Sequence, residues 1–129
     1  AQIHGGDPAN FRQYIDGQVY ALSFAADPPA DDQDPNAFLS LLVHDRFDKE
    51  PTWENIQPIM QQYEVLYPVM KTMGIELGNE KSLQKHKPGL LRVFGLPIEN
   101  PAYMPVVRDL SAVKQAAIVA WLEAQPDPE

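Results

Sequence analysis

The chain contains no cysteine. That absence excludes disulfides, thiolate zinc sites, thioether-linked haem and a cysteine nucleophile together. No stretch approaches the ~18 consecutive apolar residues that span a bilayer, so membrane insertion is not expected. Basic residues are scarce, ten Lys and Arg against eighteen Asp and Glu, for a formal net charge of −8 over 129 residues. The deficit is uneven: up to Glu50 there are nine acidic and three basic residues, and beyond it nine and seven. Such a field repels a phosphate backbone, which argues against binding of nucleic acid or adhesion to anionic membranes. A phosphate loop is also missing. Gly5-Gly6 and the pair Gly74 and Gly78 have neither the spacing nor the following Lys-Ser/Thr that a P-loop requires. Hydroxyl nucleophiles are few (Ser23, Ser40, Ser82, Ser111, Thr52 and Thr72), and Ser111 and Thr52 are better explained as helix caps. Catalysis by this chain alone is therefore not the favoured expectation.

Proline, by contrast, is abundant: thirteen residues, about twice the usual share. Long uninterrupted helices and regular central strands are disfavoured by that count. The expected architecture is one domain over residues 1–129, mainly α and built of short helices. An irregular Pro/Asp-rich portion over 1–51 wraps a helical core over 52–123, and 124–129 form a polar tail. Within the first portion a short helix is predicted at 10–16, and the run 19–24 reads as strand or buried helix. Residues 37–43 (AFLSLLV) read as a buried helical stretch capped by Asn36.

From Trp53 to Met73 apolar residues recur at spacings of three and four, an amphipathic helix face with Thr52 as N-cap, which Pro68 should kink or divide. Asn79 is placed to cap a helix at 80–86, which Pro88-Gly89 would end, and Leu90 to Phe94 form another apolar turn. The loop 97–109 holds three prolines but is too apolar to float free of the core. Ser111 caps a last helix whose buried side is marked by Val113, Ala117, Ile118, Trp121 and Leu122.

Two blocks, WENIQPIMQQY at 53–63 and YMPVVRDLS at 103–111, the second running into a helix with Trp121-Leu122, together resemble the small bacterial cytochrome c domain. The resemblance covers about residues 52–123. It implies a cytochrome-c-like helical fold in which the haem attachment motif Cys-x-x-Cys-His would fall at 64–68, here EVLYP. Both thioether cysteines and the proximal histidine are absent, so covalent haem is excluded. Of the haem-binding positions only Met104 remains, at the place of the distal axial ligand, and one soft ligand without its histidine cannot hold haem iron. The resemblance therefore implies a haem-less domain, with Leu66, Tyr67, Met70, Phe94 and Tyr103 filling the space of the macrocycle. A non-covalent haem on His44 or His86 is the competing implication.

Three constellations stand out as candidate sites. Asp32-Gln-Asp34-Pro-Asn36 places oxygens at the first, third and fifth positions of a calcium loop, but Ala37 and Val43 occupy the positions that require Gly and Glu, so an EF-hand is rejected. A looser calcium site on Asp27, Asp31, Asp32 and Asp34 competes with a solvated acidic turn. His44, Asp45 and Asp48 gather an imidazole and two carboxylates. On a continuing helix His44 and Asp48 share a face, as a metal site or a base with its orienting carboxylate would require. The bland reading is a helix C-terminus with local ion pairs. Tyr63, Tyr67, Met60, Met70, Met73 and Met104 form an adaptable, polarizable set that suits a docking surface, and Tyr63, Tyr67, Met70, Tyr103 and Met104 are the candidate ligand pocket or interface; core packing is the bland reading. Lys71, Lys81, Lys85, Lys87 and Arg92 could meet an acidic partner or the chain's own Asp-rich loop, and solvated helix faces explain them adequately.

The favoured functional expectation is a non-catalytic accessory or interaction module, a subunit or processed piece of a larger and, by the family resemblance, oxidative assembly, with a protein partner and no cofactor. The alternatives are a small metal-dependent enzyme on His44, Asp45 and Asp48, and a carrier of non-covalent haem or another small ligand with Met104 at its pocket. The opening Ala1-Gln2-Ile3 fits removal of a leader and equally a piece cut from a longer precursor. A Cys-free, Pro-rich, acidic chain suits a periplasmic or extracellular place.

Overall fold

The computed structural model describes residues 4–6, 16–23 and 38–128. The chain divides into two compact units, Ala1–Arg46 and Phe47–Glu129. In the first, strands β1 (Gln18–Ser23) and β2 (Phe38–Val43) pair antiparallel, from Gln18 opposite Val43 to Ser23 opposite Phe38. The second holds helices α1 (Trp53–Leu66), α2 (Val69–Thr72), α3 (Glu80–Lys85), α4 (Lys87–Phe94) and α5 (Ala112–Ala124). The chain is thus a small α/β mix, which corrects the expectation of a mainly α, cytochrome-c-like bundle. The reason lies in residues 38–43: instead of a buried helix they form a strand, because the β-rich run 18–23 supplies a ladder for them. Residues 10–15 of the helix expected at 10–16, and the cap at Asn36, lie outside the described residues. No helix among the described residues is long and apolar enough to cross a membrane.

In the helical unit, one stripe of each main helix builds the core. Ile56, Met60 and Tyr63 of α1, Leu83 of α3, Leu90 and Phe94 of α4, and Ile118, Trp121 and Leu122 of α5 are buried together with Leu77 and Leu110. Helix α5 packs on both α1 and α4. Pro68 divides the long amphipathic run as expected: α1 stops at Leu66 and α2 restarts at Val69. The apolar periodicity outlasts burial, however, and Leu66 and Met73 are exposed. Thr52 sits at the N-cap of α1 without capping a backbone N–H. A hydrogen bond from the Glu54 backbone N–H, and then one from the Thr52 hydroxyl, hold the Glu54 carboxyl below the usual glutamate range.

Asn79 Oδ1 accepts the Ser82 N–H at 3.2 Å and opens α3, and Ser111 Oγ accepts the Lys114 N–H at 3.3 Å and opens α5. Pro88-Gly89 was expected to end α3. Instead Pro88 lies in the first turn of α4, where its missing N–H is no loss. Val113 was expected on the buried side of α5 but is 57% exposed, since the core stripe of α5 begins only at Ala117 and Ile118.

The loop 97–109 packs on the core as anticipated, with Tyr103 and Pro105 buried and a cis Met104–Pro105 bond. Its staple is a residue no motif marked. Arg108 donates from Nε to Ile98 O (2.9 Å), from Nη2 to Asn100 O (3.1 Å) and from Nη1 to Val106 O, and its guanidinium lies 5.9 Å from the Tyr103 ring centroid. It does so from a left-handed φ of 56°. Arg108→Ala is expected to destabilise by about 1–3 kcal/mol through the lost charge-assisted bonds. Arg108→Gly, at ease in that φ, should lose about 1 kcal/mol less than the alanine variant. Denaturant melts of the two variants check both signs.

Lys87 corrects the reading of the lysine cluster as solvated. It is 8% exposed, and its Nζ donates to Gln125 O at 2.7 Å and to Asp127 Oδ1 at 2.8 Å, tying the C-terminal tail to α4. The Lys87 hydrogen bond, and then its charge, hold the Asp127 carboxyl below the usual aspartate range. A lowered carboxylate pKa stabilises the fold above the unfolded value, and that contribution is lost as pH falls through the folded one, hence below about pH 4. In Lys87→Met the Asp127 titration followed by NMR is expected to return to the ordinary aspartate value.

Candidate functional site

The helical unit contains a cavity of about 120 Å³ with no polar atom on its wall. Met60 and Tyr63 of α1 line it, as do Tyr67, Val69 and Met70 around the break at Pro68. Leu77 precedes α3, and Leu90, Val93 and Phe94 come from successive turns of α4. The loop contributes Met104, Pro105 and Val106. The rings of Tyr63 and Tyr67 stack with centroids 6.1 Å apart at 18°. Their hydroxyls are engaged elsewhere: Tyr63 Oη donates to Asp109 Oδ1 at 3.1 Å, and Tyr67 Oη accepts the Val107 N–H at 3.4 Å. Val69 and Val106 line the cavity and are also exposed, so they stand at its mouth.

Four of the five residues of the expected apolar set, Tyr63, Tyr67, Met70 and Met104, meet on this wall. Tyr103 does not. It is buried, with its hydroxyl donated to Gln115 Oε1 at 3.0 Å. Leu66, expected to help fill a macrocycle space, is exposed, while Phe94 does line the cavity. As wall residues, Val69, Leu77, Leu90, Val93, Pro105 and Val106 were missed by sequence reading. Pro68, which fixes where the helix breaks, was the signal for Val69, and the Met-Pro step the signal for Val106.

The wall does not fit haem. No histidine lines it: His86 Nδ1 is 2.8 Å from Ser82 O, and His44 belongs to the other unit. Its volume is also well below the roughly 300–1,000 Å³ of pockets that take drug-sized molecules.

In the N-terminal unit the ladder register sorts the hairpin side chains into two faces. Val19, Phe38 and Leu42 share one, and Tyr20, Leu22, Leu39 and Leu41 the other. Val19, Phe38 and Leu39 are about half exposed or more, with Tyr20, Leu22 and Leu42 close behind. None of the twelve strand residues carries a charge. Among the described residues neither outer edge of the sheet is paired.

His44 follows β2 directly, and residues 44–50 are not helical, so the shared helical face expected of His44 and Asp48 does not form. The premise failed because 38–43 is a strand, and a strand end cannot hand on an i,i+4 spacing. His44 Nδ1 instead lies 3.5 Å from Asp16 Oδ2, next to β1. Asp45 is in the same unit and Asp48 in the helical one. Among the described residues no three His, Asp or Glu side chains lie together as metal ligands would. The candidate calcium residues Asp27, Asp31, Asp32 and Asp34 lie outside the described residues.

No protein family, no curated protein and no solved structure matches the chain.

Proposed function

We propose that the chain is a non-catalytic interaction module, an accessory subunit or processed piece of a larger assembly, held to another protein through the faces of the β1–β2 hairpin. The observation that carries this reading is the hairpin itself: an uncharged two-stranded ladder with large apolar side chains exposed on both faces. A two-stranded sheet is marginal in water by itself, and apolar faces with open edges are what partner chains cover.

Charge selects the partner. Residues 1–46 carry seven Asp against two Arg, so a second copy would bring like charges together. The partner is therefore a different protein, apolar at the centre of its contact surface and basic at its rim. A periplasmic or extracellular place belongs to the same proposal.

The test is the native mass of the protein isolated from its source, at low and high salt. A complex with one other chain that weakens as salt rises is expected, since exposed complementary charges are screened beyond about 10 Å at 0.1 M salt. A homo-oligomer, or a monomer at every concentration, contradicts the proposal.

A further inference from the structure

We propose that the cavity of the helical unit is a binding site for a neutral, apolar molecule no larger than one aromatic ring. The inference stands apart from the hairpin and holds or fails without it. Size sets the upper limit. A dry apolar cavity of about 150 Å³ accepts benzene, and this one measures about 120 Å³.

Chemistry sets the class. A buried water needs two to four polar partners, and the wall presents none: Tyr63 Oη donates to Asp109, and Tyr67 Oη faces the Val107 N–H instead of the cavity. Atoms facing an empty apolar space lack contacts on one side, and an apolar guest supplies them. A charged guest would lose its hydration and find no partner.

The wall can also adapt. Three of the residues lining it, Met60, Met70 and Met104, have flexible, polarizable side chains that repack around a guest. Exposed Val69 and Val106 at the mouth leave a way in without unfolding.

The chain's methionines provide the readout. There are four, and the fourth, Met73, is 67% exposed and does not line the cavity. The full-length protein, labelled with 13C at the methionine methyls, is titrated by NMR with benzene and in parallel with benzoate. The expected result is saturable shifts of the Met60, Met70 and Met104 signals with benzene, an unmoved Met73 signal, and benzoate binding at least tenfold weaker. Absence of saturation with benzene overturns the site. So does equal binding of benzoate, or a Met73 signal that moves with the other three.

Filling the space with Val93→Phe should abolish the benzene shifts, and Met104→Phe, at another lining residue, serves the same purpose. Retained benzene shifts in a folded variant also overturn it. The wild-type titration decides the question even where neither variant folds.

Discussion

Gly17→Ala is expected to abolish the β1–β2 hairpin. Gly17 is buried with φ +93°, and a Cβ there would lie 2.1 Å from Val43 O and 2.6 Å from His44 Cα. Both obstacles are backbone, so no side chain can swing aside. The left-handed conformation alone costs an alanine about 1–2 kcal/mol. The clash falls beside Gln18 and Val43, the first pair of the ladder, so relief requires breaking the pairing that defines the register. Since a two-stranded sheet has little stability to spare, a loss of this size is expected to open it completely. Amide exchange measures the effect: protection across Gln18–Ser23 and Phe38–Val43 should fall to that of unstructured chain, and unchanged protection would contradict the role given to Gly17.

Trp121→Ala is expected to be the most damaging substitution in the helical unit. Trp121 is 3% exposed, lies between the fully buried Ile118 and Leu122 on α5, and sets its ring 5.1 Å from that of Trp53 on α1 at 34°. Truncating a buried tryptophan costs about 3–5 kcal/mol. The ring pair it breaks is worth about 0.5–1.5 kcal/mol beyond its area, and it joins the first and last helices of the unit. Against a typical stability of about 5–15 kcal/mol this removes a large share. Val113→Ala, on the same helix but exposed, should change stability by less than about 0.5 kcal/mol. Denaturant melts of the two variants compare the buried and exposed sides of α5 directly. A loss at Val113 as large as at Trp121 would place the core stripe wrongly.

The parts of the fold that follow from local chemistry are legible in the sequence. The breaks and starts at Pro68, Asn79 and Ser111 are set within a few residues, by a missing N–H or by a capping oxygen, and the structure has them where the sequence places them. The 38–43 run was misread because an apolar stretch of six has no period of its own. What decides it is residues 18–23, and that pairing is nonlocal. His44 and Asp48 lost their shared face for the same reason. Lys87 and Arg108 were hidden because each is defined by its partners: Gln125 and Asp127 lie some forty positions from Lys87, while Arg108 caps carbonyls that become neighbours only once the loop has folded. Of the five residues read as a ligand pocket or interface, Tyr63, Tyr67, Met70 and Met104 line the cavity, and their adaptable side chains were what singled them out. That the wall surrounds a space depends on the turn after Pro68, which composition does not show.

The most direct measurement is native mass spectrometry of the complex isolated from its source, made with the wild-type chain and with Leu42→Asp. Leu42 shares the exposed hairpin face with Val19 and Phe38, and a carboxylate there sets a charge into the apolar centre of the proposed contact. The hairpin-docked module predicts a defined complex with one other protein for the wild type and free chain for Leu42→Asp, with amide protection of the strands retained. The same complex in both samples, or no complex in either, would contradict it.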